Sequence, residues 1–290
     1  MANLLKTGLG GLIRARNAAP VAIGALGGSG TRMIAQLLRE AGYALGSDLN
    51  LPNDNLWAAL LINRRDLAVE PQAEFERVAD MLFDRIQGRR PTQEAIDLAW
   101  RLAARPHPQY SETWLRERAR SFQDGPFLDA PPDLWGWKIP PTHVFIDRFL
   151  TMRPDLRYIH VVRNGLDMAF SRNQNQRAYW GPVFLAREVE PTPRDALAYW
   201  CAVHRRMERL QAGFADSILV VDFDRFCQEP RTVCAEILRF CGRPVDPTVI
   251  EAVAAQVRIP DSTGRFRHED LSSLDADDVA YVRDQGYDVA

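Results

Sequence analysis

The chain has 290 residues, of which 46% are hydrophobic and 26% are charged, and its formal net charge at pH 7 is −2. Such a length can form one large α/β domain with an insertion, or two small domains, with a sizeable core. The near-neutral charge gives no electrostatic basis for general nucleic-acid binding. No apolar run approaches the ~20 residues of a transmembrane helix. We therefore expect a soluble protein that neither binds nucleic acid nor spans a membrane.

The first 19 residues are predicted to form a flexible arm. Lys6, Arg14 and Arg16 lie on both sides of a broken apolar stretch, which matches a signal peptide poorly. Three of the four cysteines recur every seven residues, a spacing that fits no zinc site. They are expected to be free thiols, which fit a reducing compartment. We therefore expect a cytoplasmic protein without a bound metal.

A glycine-rich turn follows the first predicted strand. The strand covers residues 21–26, and a helix is predicted to begin near Thr31. The turn between them contains Gly27, Gly28, Ser29 and Gly30. Glycine lets the backbone come close to an oxyanion, and the unpaired N–H groups of the first helical turn bind negative charge at the positive end of the helix dipole. The pattern predicts an anion-binding loop.

This loop differs from two common nucleotide-binding patterns. A Walker A loop needs one residue fewer between Gly24 and Gly30, and it needs a lysine where Thr31 stands. Ordinary ATP or GTP chemistry is therefore disfavoured. The spacing of the glycines also differs from that of the dinucleotide-binding pattern G-x-G-x-x-G. Taken alone, they are equally compatible with a tight structural turn.

No predicted strand alternates with helices between residues 45 and 134. Helices are predicted over 54–65, 71–87 and 91–104, where apolar residues recur three or four positions apart. We interpret residues 50–130 as a helical insertion between the first strand-helix unit and the rest of the sheet. Acceptor-binding surfaces are often built in such segments.

Three further strands are predicted, at residues 134–139, 156–162 and 217–222, with helices between them. This alternation is typical of a mostly parallel sheet. The predicted fold class is therefore α/β, with a mostly parallel central sheet flanked by helices.

A second candidate anion site follows the strand at 156–162. This strand ends in Arg163, and the next predicted helix carries Ser171. Ligands bind beyond the carboxyl ends of parallel strands, and a guanidinium can bind a phosphate through two parallel hydrogen bonds. Two separate anion sites suggest a nucleotide with two phosphate groups.

The ordered set of segments resembles the sulfotransferase family, whose members use 3'-phosphoadenosine-5'-phosphosulfate (PAPS). In that family a strand, a K/R-S-G-T-T loop and a helix bind the 5'-phosphosulfate, and a strand followed by an arginine and a later serine binds the 3'-phosphate. A basic-glycine segment near the C-terminus also reaches the 3'-phosphate. The donor contacts implied by this resemblance come from Gly27, Gly28, Ser29, Gly30, Thr31, Arg32, Arg163, Ser171, Gly264 and Arg265.

The resemblance covers residues 20–270, leaves 271–290 as a C-terminal tail, and implies a P-loop-like three-layer fold. It implies an enzyme that transfers a sulfuryl group from PAPS, its co-substrate, to a hydroxyl or amine without a metal. The acceptor class stays open among carbohydrate, lipid, peptide and small molecule, and the oligomeric state is undetermined. Two alternatives are a P-loop-like small-molecule kinase and a noncatalytic nucleotide-binding protein of the same fold.

The chain departs from the family pattern at two catalytic positions. Gly28 stands where the family loop usually has a basic residue, so Arg32 and Lys138 are two candidates for the cation at the departing oxygen. Many relatives have a histidine two residues after this lysine, where this chain has a proline. A carboxylate is therefore preferred as general base. The candidates are Asp48, Asp54, which equally suits a helix cap, and His143 as third choice.

Overall fold

The computed structural model describes residues 19–290, and its centre is a sheet of four parallel strands. The strands are β1 (Val21–Ala25), β2 (Gly136–Lys138), β3 (Arg157–Val162) and β4 (Ile218–Asp222), in the spatial order β2-β1-β3-β4. β1 is entirely buried and β3 almost so, because helices cover both faces of the sheet. The predicted α/β class with a parallel central sheet is confirmed.

Thirteen α-helices lie within the described range. They are α1 (Thr31–Glu40), α2 (Leu56–Leu61), α3 (Gln72–Ile86), α4 (Gln93–Ala103), α5 (Glu112–Asp124), α6 (Ile146–Met152), α7 (Gly165–Ala169), α8 (Asn175–Leu185), α9 (Pro193–Gly213), α10 (Phe223–Gln228), α11 (Pro230–Phe240), α12 (Pro247–Ala254) and α13 (Ala276–Asp284). Apolar side chains of α1 and α10 to α12 form the core on one face of the sheet, and those of most other helices form a larger core on the opposite face. The fold therefore has three layers.

Helices α2 to α5 stand between α1 and β2, where the sequence predicts a helical insertion. The bounds of α3 and α4 lie close to those predicted. Helix α2 is shorter than its predicted range because Asn53 has a positive φ of 67° and the helix starts only after Asn55. The Asn55 side chain accepts a hydrogen bond from the Ala58 amide at 2.9 Å. Asn55, and not Asp54, therefore caps this helix.

The two ends of the chain were predicted as an arm and a tail. The arm prediction falls on residues 1–18, outside the described residues, and on residue 19. Residues 271–290 contain α13, where Val282 is fully buried and the Tyr281 ring lies 5.9 Å from Trp200 of α9. This segment therefore packs on the domain. Across residues 19–290, no helix combines the length and apolar character needed to cross a membrane.

Three histidines are buried together between the sheet and α9. The ring centroids of His143 and His160 are 6.2 Å apart, and those of His160 and His204 are 5.3 Å apart. Burial lowers the pKa of His143 to about 3 and that of His204 to about 4, and it holds the pKa of His160 well below its usual value. All three rings are therefore neutral at pH 7. His143, the third candidate base, hydrogen-bonds to Gln176 inside this cluster.

We expect acidification from pH 7 to pH 5 to destabilise the protein. An unfolded histidine has a pKa near ~6.5, so at pH 5 the unfolded chain binds more protons than the folded one. Stability is then full above about pH 6.5 and falls as the pH drops toward the folded-state pKa values. The expected loss at pH 5 is on the order of 1–2 kcal/mol for each buried ring.

Urea unfolding at both pH values measures this loss. His204→Phe is expected to reduce the difference between the two pH values, and the exposed His268→Gln serves as the control that leaves it unchanged. An equal pH dependence in wild type and His204→Phe would contradict the assignment.

Candidate active site

The glycine-rich turn joins β1 to α1 in a conformation that only glycine adopts easily. Gly28 and Gly30 have φ values of 95° and 85°. A Cβ atom on Gly30 would lie 2.0 Å from the Phe223 ring. Within the described part of the chain, the amides of Gly27, Gly28 and Gly30 donate no hydrogen bond. The loop therefore offers free N–H groups next to the start of α1, as an anion-binding loop requires.

Replacing Gly30 with alanine is expected to lower the free energy of unfolding by about 2 to 4 kcal/mol, because strain at positive φ adds to the clash with Phe223. Gly213→Ala is the matched control, since a Cβ there meets nothing within 4 Å and its φ is not in the positive region. The control is expected to be neutral or slightly stabilising. Chemical denaturation measures both, and equal stabilities of the two variants would contradict the prediction.

Arg163 follows β3 directly and is only 4% exposed. Its Nη2 donates to Ser262 Oγ at 3.0 Å and to Thr263 Oγ1 at 3.3 Å. The same nitrogen lies 3.7 Å from Asp167 Oδ2. Its Nε is buried and faces the Asp224 carboxylate, whose Oδ1 lies 4.0 Å away. Its Nη1 donates to no acceptor among the described residues. The guanidinium is thus held in place with donor capacity left for a ligand.

Arg163 belongs to a cluster of positive charge. Burial, and then the charges of Arg163 and Arg172, lower the pKa of Arg265. Arg265 also donates to the backbone oxygen of Phe170, next to Ser171. Ser171 Oγ lies 4.0 Å from the point that a Cβ on Gly28 would occupy. The structure therefore brings the predicted residues of both anion sites close together.

Arg172 was not predicted from the sequence. It is exposed and follows Ser171 directly, and its basic character beside a candidate phosphate ligand is the signal that could have identified it.

Asp167 was also missed, and it connects two parts of the site. This buried carboxylate accepts hydrogen bonds from the amides of Gly264, at 2.8 Å, and Phe266, at 3.4 Å. It also lies beside Arg163. The amide of Gly264 is therefore occupied within the protein, while Asp167 holds the late basic segment against α7.

Lys138 and Asp54 form an ion pair beside the loop. Lys138 ends β2, is 2% exposed, and has its Nζ 2.5 Å from Asp54 Oδ1. Burial lowers the pKa of Lys138, the Asp54 charge opposes this shift, and the nearby Arg32 charge adds to it. Arg32 is exposed and makes no ion pair with any other described residue. Arg32 therefore carries the uncompensated charge, whereas Asp54 neutralises Lys138.

A cleft of about 310 Å³ opens between the loop and the helical insertion. Gly27 and Asp54 both line it, and Asp54 Oδ2 accepts a hydrogen bond from Asn50 Nδ2 at 2.9 Å. Asp48 does not line this cleft. Its Oδ1 lies 3.1 Å from Arg118 Nη1 on α5. The structure thus brings only one of the two candidate carboxylates to the loop.

Within residues 19–290, no group of three or more histidine, cysteine, aspartate or glutamate side chains is arranged to hold a metal ion.

The sequence model of the Sulfotransferase family matches residues 20–247. The chain belongs to the sulfotransferase family. This confirms the family predicted from the sequence, and with it the expected sulfotransferase class of enzyme. An uncharacterized protein of Aquifex aeolicus is 31% identical over 116 residues, which are 39% of this chain and 15% of that protein. The chain thus matches only a small part of the length of this relative.

Solved sulfotransferase structures are similar to this member of the family. The sulfotransferase domain of the Synechococcus PCC 7002 olefin synthase is 16% identical with a TM-score of 0.48, covering 96% of this chain and 98% of that domain. A sulfotransferase from Alicyclobacillus acidocaldarius is 18% identical with a TM-score of 0.43, covering 94% of this chain and 98% of that one. At such TM-scores, these similarities add nothing to the family match.

Proposed function

We propose that the chain transfers the sulfuryl group of PAPS to a hydroxyl or amine of an acceptor in the cleft, releasing adenosine 3',5'-bisphosphate (PAP). One observation carries this proposal: two candidate anion sites lie close together. The first consists of the free amides of the loop, and the second is the cluster of Arg163, Arg172 and Arg265. PAPS has anionic groups at its 5' and 3' positions, so its charges suit two such sites. The Nη1 of Arg163, which donates to no acceptor among the described residues, supports binding of a further anion.

In this proposal the loop binds the 5'-phosphosulfate through the amides of Gly27, Gly28, Gly30 and Thr31, with the hydroxyls of Ser29 and Thr31. Arg163, Ser171 and Arg265, with Arg172, bind the 3'-phosphate and so set the position of the donor. Gly264 contributes through its backbone conformation, since its amide already donates to Asp167. Alignment and charge stabilisation account for most of the catalysis of such a transfer.

Arg32 is the better candidate for the cation at the departing oxygen. The charge of Lys138 is compensated by Asp54 at 2.5 Å, whereas Arg32 has no carboxylate partner among residues 19–290. A free positive charge stabilises the negative charge that grows on the 5'-phosphate as the bond to sulfur breaks. Lys138 then acts as the positioning residue of Asp54.

Asp54 is proposed as the general base. It is 20% exposed, lines the cleft with Gly27, and is held by Lys138 and Asn50. In the transfer, the acceptor oxygen or nitrogen forms a bond to sulfur, and the bond from sulfur to the bridging oxygen of the 5'-phosphate breaks. The proton of the acceptor passes to the Asp54 carboxylate. Asp48 is the weaker candidate because Arg118 holds it away from the cleft.

We also propose that the protein is cytoplasmic, a location that its four free cysteines support.

Calorimetric titration tests the donor. PAP, 5'-AMP and magnesium-ATP are titrated into the protein without added metal. Micromolar PAP binding, with much weaker but measurable binding of 5'-AMP, is the expected result. A preference for magnesium-ATP would favour the small-molecule kinase instead, and PAP binding without turnover of any acceptor would favour a noncatalytic nucleotide-binding protein.

A further inference from the structure

The cleft beside the loop is open to an acceptor, and its side chains restrict what the acceptor can be. Asp54 and Gly27 form its reactive end, while Tyr110 and Trp114 of the helical insertion contribute to another part of its wall. An acceptor bound there lies next to the proposed base and to the loop. The charge, hydrogen-bonding groups and aromatic rings of the lining residues therefore indicate which class of acceptor fits the cleft.

The charge of the cleft favours a neutral acceptor. Among the described residues that line it, Asp54 is the sole side chain that is charged at neutral pH, and Lys138 compensates this charge. An anionic acceptor would find no cation in the cleft wall, and a cationic one would find no free carboxylate. Either would lose hydration without gaining a partner.

Amide side chains dominate the polar part of the wall. Six of them line the cleft, from Asn50, Asn63, Gln109, Asn173, Asn175 and Gln176. Several are held in place by one another: Asn63 Nδ2 donates to Gln109 Oε1 at 2.9 Å and to Tyr110 Oη at 3.1 Å, and Gln109 donates to the backbone oxygen of Asn175 at 2.8 Å. The polar surface is therefore preorganised for binding.

Two of these amides remain available to a ligand. Asn173 and Asn175 are exposed, and their side chains make no hydrogen bond within residues 19–290. Each presents two N–H donors and a carbonyl acceptor. The Oη of Tyr110 accepts from Asn63 and keeps its own proton to donate. A ligand with neighbouring hydroxyl groups, which both donate and accept hydrogen bonds, suits these side chains better than a ligand with an apolar surface.

An aromatic pair completes the cleft. The rings of Tyr110 and Trp114 are stacked, with centroids 4.2 Å apart and planes inclined by 15°. His107 also stacks on the Tyr110 ring, with centroids 4.6 Å apart, so Tyr110 presents its edge and hydroxyl to the cleft and Trp114 provides the aromatic surface. Both are half-buried, and the indole N–H of Trp114 donates to no acceptor within the described range. A pyranose has an apolar C–H surface that packs against aromatic carbon and hydroxyls at its rim that reach polar groups.

We infer that the acceptor is a neutral glycoside, sulfated on one of its hydroxyl groups. This inference rests on the proposed function and narrows its acceptor. A planar phenol would not make the several hydrogen bonds to the Asn173 and Asn175 side chains that the hydroxyl groups of a glycoside can make. A sugar acid or amino sugar would introduce a charge that the cleft does not balance.

The test is PAP release from PAPS, measured by chromatography with and without acceptor. The neutral probes are methyl glucopyranoside, methyl galactopyranoside, maltose and lactose. The comparison probes are glucuronic acid, glucosamine and 2-naphthol. At least one neutral glycoside is expected to give a kcat/KM about tenfold or more above that of every comparison probe, with a mass increase of one sulfuryl group.

Two variants examine the role of the wall. Asn175→Ala is expected to raise KM for that glycoside about fivefold, the effect of one lost neutral hydrogen bond, without changing kcat or PAP affinity. Gln93→Ala is the matched control, an exposed amide at the first residue of a helix outside the cleft. Equal KM values in both variants would overturn the inference.

The outcomes separate the inference from the proposed function. If PAP binds but the comparison probes are used equally well, or no neutral glycoside is sulfated, the acceptor class is wrong and the donor assignment stands. If PAP does not bind, the proposed function fails and the inference fails with it.

Discussion

Replacing Asp54 with asparagine is expected to lower kcat by about 10²- to 10⁴-fold, with PAP affinity unchanged. The amide keeps the shape of the side chain, which lines the cleft beside Gly27, but it cannot take the acceptor's proton. Steady-state kinetics measure kcat, and calorimetric titration measures PAP affinity.

Asp48→Asn is the matched comparison for this prediction. Asp48 was an equal candidate in the sequence, but the structure pairs it with Arg118 outside the cleft. Its variant should keep kcat within a few-fold of wild type. Because Asp54→Asn leaves the buried Lys138 without its counter-charge, thermal unfolding of each variant accompanies the kinetics. Loss of activity in Asp48→Asn alone would reverse the assignment.

Arg163→Ala is expected to weaken PAP binding by about 3 kcal/mol, or about 100-fold in Kd, as two charge-assisted hydrogen bonds are lost. The variant also leaves Asp167 and Asp224, which lie 3.7 and 4.0 Å from the guanidinium, without its compensating charge. These carboxylates would then repel the 3'-phosphate. Arg163→Lys should recover part of the affinity, since lysine keeps the charge but not the paired donors. Calorimetry measures all three proteins.

Two controls make the Arg163 result specific. Arg231→Ala removes an exposed arginine that pairs with Glu251 at 2.6 Å and should leave PAP affinity unchanged. Affinity for 5'-AMP, which lacks the 3'-phosphate, should change little in Arg163→Ala. An equal loss for PAP and 5'-AMP, or an unchanged PAP affinity in a folded variant, would show that Arg163 does not bind the 3'-phosphate.

The sheet and the loop could be predicted because their signals are local. The runs at 21–26 and 156–162 are short and rich in strand-forming residues, and each is followed at once by a glycine turn or by Arg163. Helix α5, by contrast, was not predicted. It buries only three of its residues, Leu115, Ala119 and Phe122, and the charged residues between them obscure the helical period.

The ion pair of Lys138 and Asp54 could not be read from the sequence. The two residues are 84 positions apart, and their contact depends on the path of the chain from α1 to α2. The positive φ of Asn53 and the cap at Asn55 determine that path. From the sequence, Asp54 suits the roles of helix cap and general base equally well. Each role needs only a short acidic side chain near the start of a helix. Asp167 could not be identified from the sequence for the same reason, because its partners Gly264 and Phe266 lie almost a hundred residues further along the chain.

The contacts of Asp167 hold a late segment of the chain against α7. One carboxylate joins α7 to a segment near residue 265, and Arg163 reaches Ser262 and Thr263 of the same segment. A local fluctuation that frees this segment would therefore break the arginine cluster while the sheet stays folded. Under the proposed donor site, the nucleotide contacts both parts and would favour the attached segment. We therefore expect nucleotide binding to protect the amides of this late segment from hydrogen exchange.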